Sequence, residues 1–155
     1  MTETKREFIK LTTVFGALAA IGALSVEEAR AQQAAWNKAA FDAKSLNDTV
    51  KALGGAGASQ STDIAITAPD IAENGAVVPV GITSKIPNTE AVYILVEKNP
   101  SALAAGFRIP AGTEANVTTR VKMAQTSNVH ALVRAGDKFF VATKEVKVTL
   151  GGCGG

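Results

Sequence analysis

The sequence predicts an all-β fold, an antiparallel sandwich preceded by short helices. Three observations carry that expectation. From Ile64 onward, apolar residues recur at every second position. Turn-forming pairs punctuate these runs at short intervals, and only the stretch ahead of Gly54-Gly55 shows a three- and four-residue period.

The helical stretch runs from Gln32 to about Leu53. Ala35, Trp36, Ala39, Ala40 and Ala43 recur at helical steps, with Phe41 alongside. Ser45 followed by Asp48 has the spacing of an N-cap opening a second short helix through Val50 and Leu53. Gly54-Gly55 stops that helix, and GGAGASQS over 54–61 reads as a flexible linker.

Strands follow in order. Ile64 and Ile66 alternate with Asp63, Ala65 and Thr67. Val78, Val80 and Ile82 form one face of the next run, and Val92, Ile94 and Val96 one face of the run after it. Val117, Thr119, Val121 and Met123 oppose Thr118, Arg120 and Lys122, the mark of a half-buried strand. Val129, Ala131 and Val133 continue the pattern, then Phe140 and Ala142, then Val146, Val148 and Leu150. Pro69-Asp70, Asn74-Gly75, Pro87-Asn88, Asn99-Pro100, Pro110-Ala111-Gly112 and Gly136-Asp137 supply the turns. Pro79 inside a strand pattern marks an edge or a bulge, because proline has no N–H to give a ladder. About seven short strands spaced in this way suit an immunoglobulin-like sandwich.

The first residues differ in kind. Lys5 and Arg6 give a basic start, and residues 11–24 (LTTVFGALAAIGAL) carry no charge. That run is shorter than the roughly 20 apolar residues a bilayer span needs. Ala29-Arg30-Ala31 then offers an A-x-A cleavage site, so residues 1–31 are expected to be a removable signal peptide. A buried N-terminal helix would need a polar face, and this run has none. Residues 4–10 (TKREFIK) resemble the twin-arginine export motif, with Lys5 where the first arginine of that motif stands. The resemblance implies export to the periplasm by that route. The resulting division is 1–31 signal peptide, 32–55 helical segment, 56–150 sandwich and 151–155 tail.

Bulk properties remove several functions. The 155 residues leave room for one domain plus a removable segment. A formal charge of +2 is close to balance and leaves no electrostatic footprint for nucleic acid. The one histidine, His130, faces away from Val129 and Ala131 and is expected at the surface or rim. A copper site of the cupredoxin type needs two histidines beside a cysteine, so no metal or cofactor is expected. A Ser-His-Asp set can be written around His130, but no G-x-S-x-G context accompanies it.

Chemistry concentrates in the tail Gly151-Gly152-Cys153-Gly154-Gly155, which holds the chain's one cysteine. A lone cysteine makes no internal disulfide; it is a free thiol, an intermolecular partner or an attachment site. Ringed by four glycines, it has no neighbouring side chain to pack against. Glycine makes the narrowest and most adaptable backbone, and five residues extend about 16–18 Å. A tail without a role has no reason to centre on the only cysteine, so Gly151, Gly152, Gly154 and Gly155 read as a flexible arm presenting Cys153. Nothing beside the thiol activates it, which makes Cys153 a handle for other proteins' chemistry and not a catalytic nucleophile.

The GGCGG terminus, preceded by Lys147-Val148-Thr149-Leu150, resembles that of the SoxY family, carriers in periplasmic thiosulfate oxidation. The likeness extends over the export signal, the leading helices, the segment 69–79 (PDIAENGAVVP) and the β-domain. It implies a non-catalytic carrier that pairs with SoxZ as a heterodimer. Haem-containing SoxAX would couple thiosulfate to Cys153 as a cysteine S-thiosulfonate, SoxB would release sulfate, and further Sox enzymes would process the remaining sulfur. The residues alone leave a second reading open: a secreted immunoglobulin-like binding or assembly module whose cysteine crosslinks two chains.

Overall fold

The computed structural model describes residues 37–149. The expected signal peptide, Ala35 and Trp36 of the first helical run, Leu150 and the GGCGG tail lie outside the described residues.

Two short helices come first. The Asn37 side chain accepts from the Ala40 N–H and caps α1 (Lys38–Asp42). Ala43 turns extended, and the cap expected at Ser45 opens α2 (Leu46–Ala52). There Ser45 Oγ accepts from the Asp48 N–H at 3.1 Å and donates to the Asp48 carboxylate at 2.7 Å. Gly54, at φ +87°, closes α2 in the left-handed region where glycine meets no Cβ clash.

Nine strands follow among the described residues: β1 (Ala58–Gln60), β2 (Ile64–Thr67), β3 (Ile71–Ala72), β4 (Val78–Ser84), β5 (Thr89–Val96), β6 (Leu103–Arg108), β7 (Asn116–Val121), β8 (Ser127–Ala135) and β9 (Lys138–Val148). One sheet has the order β1-β9-β8-β5-β6, with β3 also on β9; the other has the order β2-β4-β7. β8 takes one edge of β9 in antiparallel register, while β1 and β3 pair with β9 in parallel near its beginning and its end. The other pairings are antiparallel. This is the immunoglobulin-like sandwich that the period-2 pattern predicts.

The larger sheet is buried over its inner face and over the part of its outer face beneath the helices. Toward the small sheet, Val92, Ile94, Val96, Val129, Ala131 and Val133 pack with Val78, Val80, Ile82 and Val121. On the outer face, Leu95, Leu132, Phe139 and Val141 pack with Ala40 and Val50 of the helices. The helices are thus a third layer, satisfying apolar side chains that a two-layer sandwich leaves in water.

Two expectations need correction. The stretch 54–61 is not a free linker. Gly55 is pressed so closely on Val50 and Phe139 that a Cβ would lie 2.7 and 2.6 Å from them, and Ala58–Gln60 form β1 on β9. Small residues permit that approach, and composition alone does not separate it from flexibility. The apolar runs at Phe140-Ala142 and Val146-Val148 belong to one strand, β9, since Thr143, Lys144 and Glu145 stay in register with His130, Val129 and Asn128. Pro79 meets the condition set by its missing N–H: β2 ends at Thr67 opposite Gly81, so at Pro79 strand β4 has only β7 beside it.

Leu132→Ala, made at a fully buried position of the outer cluster, is expected to lower stability by about 2–5 kcal/mol, and Ser45→Ala by about 1 kcal/mol. Urea unfolding of both variants, with m unchanged, measures each loss.

Candidate functional site

Five of the residues singled out in the sequence, Gly151, Gly152, Cys153, Gly154 and Gly155, lie outside the described residues. What the structure displays is the root from which they continue. β9 ends at Val148, and its last turns are held from three directions. The Lys147 N–H donates to the Asp70 carbonyl at 3.0 Å, and the Thr149 N–H donates to the Ala72 carbonyl at 3.1 Å. The Val148 N–H donates to Thr126 Oγ1 at 3.0 Å, on the side of β9 opposite β3. Lys144 completes the hold, its Nζ lying 3.0 Å from the Asp70 carboxylate and donating to the Ala68 carbonyl at 2.6 Å.

The segment 69–79 is therefore a strap over the end of β9. Asn74 folds it back: its Oδ1 accepts from the Ala76 N–H at 2.9 Å, the pattern of an Asx turn. Gly75 then passes so close to the segment after β7 that a Cβ would clash with the Met123 carbonyl and lie 2.8 Å from Val148. The Met123 N–H donates to the Gly75 carbonyl at 2.7 Å. Within the strap Ala72 and Val78 are buried, while Ile71 and Val77 remain exposed. Sequence reasoning recognised Pro69-Asp70 and Asn74-Gly75 as turns and missed the strap. The signal available was Asn74-Gly75 beside Ile71-Ala72, a pair too short for a period to register.

His130 sits opposite Leu95 and Thr143 on the outer face of the large sheet, beyond the helices. Its side chain is only 12 % exposed, so the rim position expected from the sequence is a largely covered one. Nδ1 lies 2.8 Å from Thr143 Oγ1, and Nε2 lies 3.7 Å from Glu97 Oε2. Asn128 Nδ2 donates to the same Glu97 oxygen at 2.9 Å. A gap of 3.7 Å is too long for the imidazole–carboxylate hydrogen bond that a hydrolytic triad uses. Burial holds the imidazole below its ordinary value, and Glu97 offsets only part of that effect. Among the described residues, no three of His, Cys, Asp and Glu come together as metal ligands. No helix among them is long and apolar enough to cross a membrane.

Comparison with known proteins decides the family. The model of the family described as "Sulfur oxidation protein SoxY" matches residues 50–153. The chain belongs to the SoxY family. Among solved structures, it is similar to the sulfur carrier protein SoxY from Chlorobium limicola f thiosulfatophilum, at 38% identity and a TM-score of 0.59. That match covers 66% of this chain and 96% of the other. No curated protein matches the chain. The matched span runs from within α2, through the strap and β9, to the position of Cys153. Membership places this SoxY-family chain in sulfur oxidation.

Two outcomes follow from this geometry. Gly75→Ala drives a Cβ into backbone and is expected to cost about 1–3 kcal/mol, with faster hydrogen exchange at the Thr149 amide than at the Val133 amide. For His130, the folded value lies below the unfolded 6.5, so the unfolded chain binds the proton more tightly. Stability from the neutral imidazole is complete above about pH 6.5 and falls as pH drops toward the folded value. The urea midpoint of the wild type is expected to fall between pH 7.5 and 5.5, and that of His130→Asn to fall less.

Proposed function

We propose that the chain is a covalent carrier in thiosulfate oxidation, holding intermediates on Cys153 and presenting them to partner enzymes. One observation carries the reading: the family match extends to residue 153, so the tail cysteine lies inside the matched span. The likeness to a named sulfur carrier protein supports the same role. The strap gives it a physical basis. Thr149 is tied down, and the four steps from Thr149 to Cys153 reach about 13–14 Å at full extension. A glycine arm of that length, Gly151 and Gly152 before the thiol with Gly154 and Gly155 after it, carries sulfur into a narrow site while the body stays outside.

The chemistry balances with catalysis elsewhere. The Cys153 thiol and thiosulfate together lose two electrons and one proton to form Cys–S–S–SO3⁻, the electrons passing to haem-containing SoxAX. Water then cleaves the terminal sulfur–sulfur bond in SoxB, releasing sulfate and leaving a persulfide for other Sox enzymes. The chain itself supplies no catalytic residue. Residues 1–31 act as a twin-arginine-like signal peptide, and the mature chain works in the periplasm. SoxZ is the stable partner, covering open sandwich edges as sheet edges require.

The C-terminal peptide of protein purified from thiosulfate-grown cells is expected to carry sulfur-bearing adducts on Cys153 that reductant removes. Cys153→Ser abolishes them. Intact mass measurement that finds only disulfide-linked dimers, and no adduct, overturns the carrier role in favour of a crosslinking module.

A further inference from the structure

We propose that a notch between Arg108 and Arg134, with Ala91 as its floor and Tyr93 as one wall, binds a small dianionic oxyanion such as sulfate or thiosulfate. The site lies on the outer face of the large sheet and needs neither Cys153 nor the arm. β9 runs nine residue steps from Phe139, opposite Arg134, to Val148 at the root, about 30 Å at 3.3–3.4 Å per step. An arm reaching about 13–14 Å from Thr149 does not approach it.

Strand register builds the notch. Ala91 of β5 pairs with Arg108 of β6 on one side and with Arg134 of β8 on the other. The two arginines therefore stand in one row on one face, with Cα atoms about 10 Å apart and only a methyl group between them. Tyr93 is the next residue of β5 on that face. Its ring lies against Gly106, where a Cβ would come within 2.9 Å of Cδ1. Glycine at 106 thus lets the phenol lie over β6, beside Arg108. Ala91, Tyr93, Arg108 and Arg134, with Glu90, Ile109 and Pro110, line one cavity.

Charge and hydrogen-bonding capacity give the ligand class. Both guanidinium charges act on the Tyr93 phenol, yet burial prevails and raises its pKa above 10.0, so it stays protonated as a donor at neutral pH. Arg134 is already oriented. Its Nε donates to the Gly136 carbonyl at 3.0 Å, and its guanidinium lies 6.0 Å from the Phe139 ring centroid. Glu90 approaches it at 3.6 Å, with the carboxylate side chain 57 % exposed. Arg108 makes no ion pair among the described residues. Two arginines and a tyrosine thus line one cavity around a small apolar residue, with one loosely held carboxylate as the competing anion. Two planar guanidinium donors and a hydroxyl suit a tetrahedral anion of charge −2 better than a monocarboxylate.

The test is an NMR titration of the ¹⁵N-labelled full-length chain with sulfate, and separately with thiosulfate, at fixed low ionic strength. Saturable shifts are expected at the Ala91 and Tyr93 amides and at the Arg108 and Arg134 side chains, with acetate and chloride giving no saturation. Arg108→Gln, at an exposed side chain, is expected to weaken binding at least about tenfold with an unchanged urea midpoint. Glu90→Gln is expected to tighten it by removing the competitor. Linear shifts, equal saturation by acetate, or an Arg108→Gln variant of undiminished affinity each overturn the proposal.

Discussion

Burial of the large sheet on its inner face and on part of its outer face is the constraint on which the rest of the molecule depends. β5 runs Val92, Ile94 and Val96 toward the small sheet and Leu95 toward the helices; β8 does the same with Val129, Ala131 and Val133 against Leu132. A strand apolar on both sides cannot sit in a two-layer sandwich without exposing half of its side chains to water. The helices α1 and α2 are therefore part of the core. Their caps at Asn37 and Ser45 matter because helices of five and seven residues have little stability of their own.

β9 joins that core to the site. It borders β8 along one edge and is paired on the other by β1 near its start and β3 at its end, so both ends of the strand that leads to the tail have neighbours on two sides. Two glycines make this closure possible. Gly55 lets the end of α2 settle against Phe139 near the start of β9, and Gly75 lets the strap settle on Val148 at its end. The two contacts bracket the strand, one belonging to the fold and the other to the root of the tail. Each depends on the lack of a side chain, not on backbone freedom, since neither glycine has positive φ.

The period-2 pattern made the sandwich legible because the residues of β4, β5, β7 and β8 that face the core between the sheets fall at every second position. Ser45 and Asp48 made α2 legible because the cap is chemistry local to four residues. β1 and β3 were hidden for a different reason. They are three and two residues long, and they pair in parallel with a strand far along the chain, so nothing local specifies them. The outer-face cluster was half visible: Leu95 and Leu132 stood between recognised inner-face residues, but no rule of alternation says that helices will return to cover them. At the site, composition alone pointed to Cys153, since only one cysteine exists and glycine surrounds it. The strap was not legible, because its key contact, Gly75 on Met123 and Val148, joins positions remote in sequence.

The parallel pairing of β3 with β9 has a mechanical side. A load applied at Thr149 along the strand axis pulls Lys147 and Val148 lengthwise past Ile71 and Ala72, and the rest of β9 lengthwise past β8. The ladder is sheared, so many hydrogen bonds share the strain, where a peeling force would break them one after another. A pull on the end of this strand therefore loads the body in shear and not in peeling.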